Sequence, residues 1–128
     1  MTSQDVIRLV AARFGVSRAE ILGFNRSRNL VRARFTAIWI LRRAFRKSSL
    51  QVARTFSRRD HSSILNAERR AELFFFGDLE LRAIRDELMH VIKERLQNEE
   101  RTRVIAKVKY TIPSNIAKEY LHDRSKHS

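Results

Sequence analysis

The sequence predicts an all-α fold: a small multi-helix domain containing a helix-turn-helix, followed by a C-terminal extension. Three observations lead there. Glycine and proline together supply four of the 128 residues, so helix breakers are rare and each serves as punctuation. Apolar residues recur at three- and four-residue steps through most of the chain, which is the helical period. Twice, a serine followed three positions later by Glu or Gln stands just ahead of such a run, the arrangement that satisfies the free N–H groups of a helix start. With 43% hydrophobic residues, the chain has material for one modest core and a short appendage.

Taken in order, Ser3 can cap a first helix carrying Val6, Val10 and Phe14 on one face, and Gly15 suits the left-handed turn that ends it. Ser17-Arg18-Ala19-Glu20 has the form of a capping box before Ile21 and Leu22, and Gly23 closes this very short second helix. From about Asn29 to Arg46, Val31, Phe35, Ile38, Leu41 and Phe45 recur with no breaker between them, which predicts one long helix. Ser48-Ser49-Leu50-Gln51 is a second capping box, with Val52 and Phe56 facing inward from a helix of two turns. After Ser57-Arg58-Arg59, the Asp60 carboxylate can take the free N–H groups of a new helix that runs to about Leu73. Two short helices around so tight a connection form a helix-turn-helix.

Phe74-Phe75-Phe76-Gly77 reads as an aromatic run followed by a turn, and Asp78 then caps a helix carrying Leu81, Ile84, Leu88, Ile92 and Leu96. That apolar line either folds back to close the core, the reading we favour, or forms a dimer seam. The resulting division is a helix-turn-helix domain over residues 3–97 and a basic, partly flexible extension over 98–128, disordered at Asp123 to Ser128. The last helix and the extension are where a homodimer or protein partner would attach.

Lys and Arg number 27 against 14 Asp and Glu, a formal charge of +13 that calls for a polyanionic partner. The charge is concentrated: from Arg26 to Arg70, thirteen basic residues are opposed by Asp60 and Glu68 alone. Double-stranded DNA is the expected partner. A basic RNA-binding or ribosome-associated protein is the alternative, disfavoured because no aromatic platform or RNA module is evident. There is no cysteine for a disulfide or thiolate metal site, and His61, His90, His122 and His127 show neither metal-ligand spacing nor a nucleophile-base arrangement. No G-x-x-x-x-G-K-[ST] loop is present to cradle ATP. The expectation is therefore no enzyme and no cofactor. No apolar run approaches the roughly 18 residues of a membrane span, which favours a cytoplasmic, nucleoid-associated protein.

If Ile64 and Ala71 face the core, the opposite face of their helix shows Ser62, Ser63, Asn66, Arg69 and Arg70. Arginine pairs with guanine, asparagine with adenine, and serine accepts several partners. His61 either touches a base or phosphate or bonds to nearby backbone. Asp60 is a helix cap, an acceptor from a cytosine amino group, or both. Glu68 falls near the inner arc with no role assigned.

At these residues a family resemblance becomes specific. Arg26-Ser27-Arg28, Val31-Arg32-Ala33-Arg34, the capped Ser48-to-Phe56 helix and Arg59-Asp60-His61-Ser62-Ser63-Ile64-Leu65-Asn66-Ala67 resemble the C-terminal DNA-binding domain of the bacterial chromosomal replication initiator, DnaA, over about residues 3 to 97. The resemblance implies that the recognition helix enters the major groove of an A/T-rich box, while a basic loop places Arg26 in the neighbouring minor groove. It implies base contacts from Asp60, His61, Ser62 and Ser63 and phosphate contacts from Arg34 and Arg42. Asn66 is added as a base reader, and Arg28, Arg58, Arg59, Arg69 and Arg70 are added for phosphates. The chain departs from the family where Ser62 and Ser63 stand for threonines, Asn66 for a histidine, Phe35 for a polar residue, and Ser57-Arg58 for two glycines. The function implied is a stand-alone regulator of replication initiation or transcription, without the ATP-driven motor.

Overall fold

The computed structural model describes residues 1–57 and 60–111. Among them are six helices and no strand: α1 (Ser3–Phe14), α2 (Arg18–Leu22), α3 (Arg28–Arg43), α4 (Ser49–Thr55), α5 (His61–Gly77) and α6 (Leu79–Thr111). The chain forms two compact units, Met1–Ile92 and Lys93–Ser128.

Local chemistry sets the helix ends. Thr2, one residue before the expected Ser3, caps α1: its hydroxyl accepts from Asp5 N at 3.2 Å while Thr2 N donates to Asp5 Oδ2 at 2.8 Å. Gly15 ends α1 at φ 67, the left-handed conformation that an L side chain resists. The boxes Ser17/Glu20 and Ser48/Gln51 form as the sequence predicts. The long helix α3 stops at Arg43, short of the expected Arg46, because Arg46 turns left-handed at φ 51 and Lys47 N donates back to Leu41 O at 3.0 Å.

In the first unit α3 is the central element, touching α1, α2, α4 and α5. Its buried face carries Leu30, Ala33, Ala37, Ile38, Ile40 and Leu41, against Ile7 and Val10 of α1, Ile21 of α2, Val52 of α4 and Ile64 of α5. Val31 and Phe35, expected on that face, are only half-buried and line its edge.

The aromatic run belongs to α5, which passes the expected end at about Leu73. It continues α5 to Gly77, because Phe75 extends the buried line Ile64, Ala67, Ala71 at helical spacing. Phe75 meets Trp39 edge-on at 5.2 Å, and Phe74 stacks on Phe35 at 5.9 Å. Asp78 ends α5 and starts α6, donating its N–H to Phe74 O at 2.9 Å and accepting from Leu81 N at 3.0 Å. Leu81, Ile84, Leu88 and Ile92 are buried inside the first unit, so these four close the core, while Leu96, the fifth member of the line, is half-buried in the second unit. In the second unit, residues 98–111, expected to begin a loosely packed extension, continue α6 as helix, while Asp123 to Ser128 lie outside the described residues. No helix among the described residues is long and apolar enough to cross a membrane.

Candidate nucleic-acid interface

Val52, Phe56 and Ile64, all at most 1% exposed, pin α4 against α5 and fix the helix-turn-helix. Between the two helices Ser57 takes φ 40, so the first of the two turn positions that the family fills with glycine does need the left-handed conformation here. Arg58 and Arg59 lie outside the described residues.

Asp60 caps α5, its Oδ1 accepting from Ser63 N at 2.7 Å. That backbone hydrogen bond is the main reason its carboxyl is held below the usual aspartate value of 3.8. His61, Ser62, Ser63, Asn66, Arg69 and Arg70 are all exposed, with Ile64, Ala67 and Ala71 buried on the other side.

The loop before α3 presents Arg26, and Arg28 opens the helix; both are exposed, with no side-chain ion pair or hydrogen bond among the described residues. An Asx-type bond, Ser27 N to Asn25 Oδ1 at 2.9 Å, shapes the loop. Below it lies the largest departure from expectation. Arg34, expected to hold a phosphate, is 3% exposed and donates inward to three carbonyls, while still counting among the residues that line the cleft described below. Nε reaches Ile21 O at 2.7 Å, Nη1 reaches Asn25 O at 2.9 Å and Nη2 reaches Glu20 O at 3.0 Å.

Glu68, which the sequence left without a role, is 9% exposed and accepts from Arg42 Nε at 2.8 Å and Arg43 Nε at 2.6 Å. Arg43 also pairs with Glu72, and Arg42 Nη1 donates to Lys47 O at 2.9 Å. Arg42 is thus half-buried and engaged on two of its nitrogens, rather than the solvent-facing cation expected. The signal that could have found this pairing was a lone acid on the inner arc of α5, set against an adjacent arginine pair closing α3. Arg32, never singled out as a site residue, holds Asp78 at 2.7 Å and ties α3 to the α5–α6 corner.

These elements converge on one cleft of about 730 Å³. Its lining joins Arg26 of the loop and Val31, Arg34 and Phe35 of α3 with Asp60, Ser63, Asn66 and Arg70 at and along α5. A second hollow of about 490 Å³ adjoins Arg26 and reaches Arg28, Leu73 and Phe74. Among the described residues no cluster of three or more His, Cys, Asp or Glu could hold a metal. The arrangement is one of hydrogen-bonding and cationic groups around a cleft, suited to holding an extended anion.

The family model described as the bacterial dnaA protein helix-turn-helix matches residues 3–71. This chain belongs to that family. It is 33% identical over 95 residues to the chromosomal replication initiator protein DnaA of Bradyrhizobium sp. (strain ORS 278), covering 74% of this chain and 19% of that protein. The Nautilia profundicola protein of the same name is 32% identical over 93 residues, covering 73% of this chain and 21% of the relative. For that of Rhodopseudomonas palustris (strain TIE-1) the figures are 35% over 69 residues, 54% and 15%. The chain thus spans about a fifth or less of the length of these DnaA relatives. The family-matched segment includes every residue lining the cleft, while Leu73, Phe74, Gly77 and Asp78, beyond it, line only the adjoining hollow.

Proposed function

We propose that this chain is a sequence-specific double-stranded DNA-binding protein that occupies initiator-box-like sites and so modulates replication initiation or transcription. One observation carries the reading: the exposed polar face of α5 and the unpaired Arg26 share a single cleft. In duplex DNA the major and minor grooves are separated by one sugar-phosphate strand. A helix in the major groove and an arginine in the adjacent minor groove must straddle that strand, and the cleft is the space it takes. Arginine is drawn to the narrow minor groove of A/T-rich DNA, where the negative potential is strongest.

On this reading the excess positive charge steers the protein to DNA, and Arg28, Arg69 and Arg70 set its register on phosphates. Arg58 and Arg59 add to that set, and Arg42 adds its remaining nitrogen. Asn66 presents both a donor and an acceptor for an adenine edge, while His61, Ser62 and Ser63 are small or adaptable contacts near the helix start. Asp60, committed to its cap, excludes phosphate from its own position and retains an oxygen for a cytosine amino group. A protein holding DNA in this way is nucleoid-associated.

The test is a fluorescence-anisotropy titration at fixed salt on three duplexes: an A/T-rich initiator box, a scrambled box of equal composition, and the box as RNA duplex. The box should bind at least tenfold tighter than the scramble, since each good base contact is worth about 1–3 kcal/mol. Equal affinity for box and scramble removes the sequence-specific claim, and preference for the RNA duplex installs the RNA-binding alternative.

A further inference from the structure

We infer that Arg34 is the positioning residue for the Arg26 loop: anchored in α3, its guanidinium grips the end of α2 and the carbonyl of Asn25, and so sets where Arg26 stands relative to the recognition helix. This rests on the reading of the cleft as a DNA site. It gives Arg34 a part in recognition through the loop it holds.

The geometry is specific. Glu20 and Ile21 sit in the last turn of a five-residue helix, and Arg34 donates to both carbonyls, at 3.0 Å to Glu20 O, which also accepts from Gly23 N at 3.3 Å, and at 2.7 Å to Ile21 O. The third bond, 2.9 Å to Asn25 O, falls one residue before Arg26. Successive Cα atoms are about 3.8 Å apart, so fixing that peptide fixes the root of the Arg26 side chain to within one step. At its other end, Arg34 springs from the central helix, between Ala33 and Ala37, both fully buried. The chain from core to minor-groove arm therefore passes through one rigid, planar fork.

Stability alone does not explain this residue. Burial pushes its pKa below the usual guanidinium value, and its three partners are carbonyl dipoles rather than a carboxylate. A buried cation without a counter-charge is an expensive way to hold a fold together, and an apolar side chain of similar volume often serves as well. What an apolar side chain cannot do is reach three carbonyls in fixed directions. Lysine cannot either, having one ammonium in place of a five-donor fork.

The experiment uses the full chain with Arg34→Lys and Arg34→Met, each also combined with Arg26→Ala. Three versions of the A/T-rich box duplex serve as probes: unmodified, with 2,6-diaminopurine replacing adenine, which adds a minor-groove amino group, and with 7-deazaadenine, which removes a major-groove acceptor. Wild-type protein should lose about tenfold in affinity on each modified duplex. In R34K and R34M the diaminopurine penalty should shrink to less than twofold while the 7-deazaadenine penalty persists. Adding either substitution to R26A should change affinity less than twofold. On the free proteins, amide hydrogen exchange over residues 24–28 should quicken at least tenfold, with exchange in the middle of α3 unchanged.

A full diaminopurine penalty in both variants overturns the proposal, as does equal loss of both penalties. So does loss of the cooperative thermal transition in both variants, since Arg34 would then serve the whole fold. If wild-type protein binds all duplexes and a scramble alike, the DNA reading fails, and the exchange measurement alone decides whether Arg34 holds the loop.

Discussion

Replacing Glu68 by glutamine separates the arginines that build this domain from those that meet an anion. Glu68 is 9% exposed and accepts two short bonds, from Arg42 at 2.8 Å and Arg43 at 2.6 Å. Glutamine keeps the shape and one acceptor oxygen but loses the charge, and its NH2 group faces one of the two guanidiniums. Hydrogen bonds to charged groups are worth about 1.5–3 kcal/mol each. Arg43 is half-exposed and Glu72 is a second partner for it, so its share is discounted. The expected loss is about 2 kcal/mol, a fall in Tm of roughly 8–16 °C for a domain of this size. DNA binding should change in the opposite sense. Each arginine that moves from Glu68 to a phosphate adds about 0.9 to the magnitude of the slope of log K against log salt. Between 50 and 200 mM salt, one freed arginine widens the ratio of affinities about 3.5-fold and two widen it about 12-fold, by the same relation. Thermal melting by circular dichroism and anisotropy at four salt concentrations measure both. A slope matching wild type, with affinity unchanged at low salt, would show that Arg42 and Arg43 are scaffold only and refute the reasoning.

Three further outcomes follow from the packing and the caps. Phe56→Ala removes a fully buried ring from the α4–α5 contact and should cost about 3–5 kcal/mol, read by urea denaturation; a loss under about 1 kcal/mol would mean the site collapses around the gap. Ser57→Gly relieves a left-handed residue at φ 40 and should raise stability by about 0.5–1 kcal/mol, a small gain because glycine also loosens the unfolded chain; destabilisation would show that the Ser57 side chain makes a contact worth more than the strain. Acid should unfold the protein through its caps. Asp5, Asp60 and Asp78 are each held below 3.8, chiefly by backbone N–H groups of Thr2, Ser63 and Leu81. Folded values below the unfolded one mean that the stabilisation is complete above 3.8 and is lost as pH falls through the lowered values. Tm should hold steady from about pH 7 to 5 and drop below 3.8, and a Tm independent of pH down to about 2.5 would contradict this.

The helix starts were legible because capping is local: a serine and the Glu or Gln three residues later carry the whole signal, and Ser17 and Ser48 behave as their neighbours dictate. Gly15 was legible for the same reason. The end of α5 was not. Phe74 to Gly77 looks like a break in isolation, and what keeps it helical is Trp39 and Phe35, some 35 or more residues away in the chain. The polar face of α5 follows from period alone. The division of labour among the arginines does not, because the partners of Arg34 are main-chain carbonyls, which every residue possesses and no sequence pattern marks. Arg26 and Arg34 look alike as letters. One faces solvent and the other is held, 3% exposed, by the loop's carbonyls.

The chain contains a single tryptophan, and its position makes it an optical probe of the joint between the central helix and the recognition helix. Trp39 lies edge-on to Phe75 with the Arg85 guanidinium 5.5 Å from its ring centroid, and its Nε1 is buried without a hydrogen-bond partner among the described residues. An indole shielded from water emits to the blue of one in solvent, and the nearby cation makes its emission sensitive to small shifts of α6. Intrinsic fluorescence can thus follow, without any label, whether α5 stays seated on α3 when DNA is added or when Glu68 is replaced.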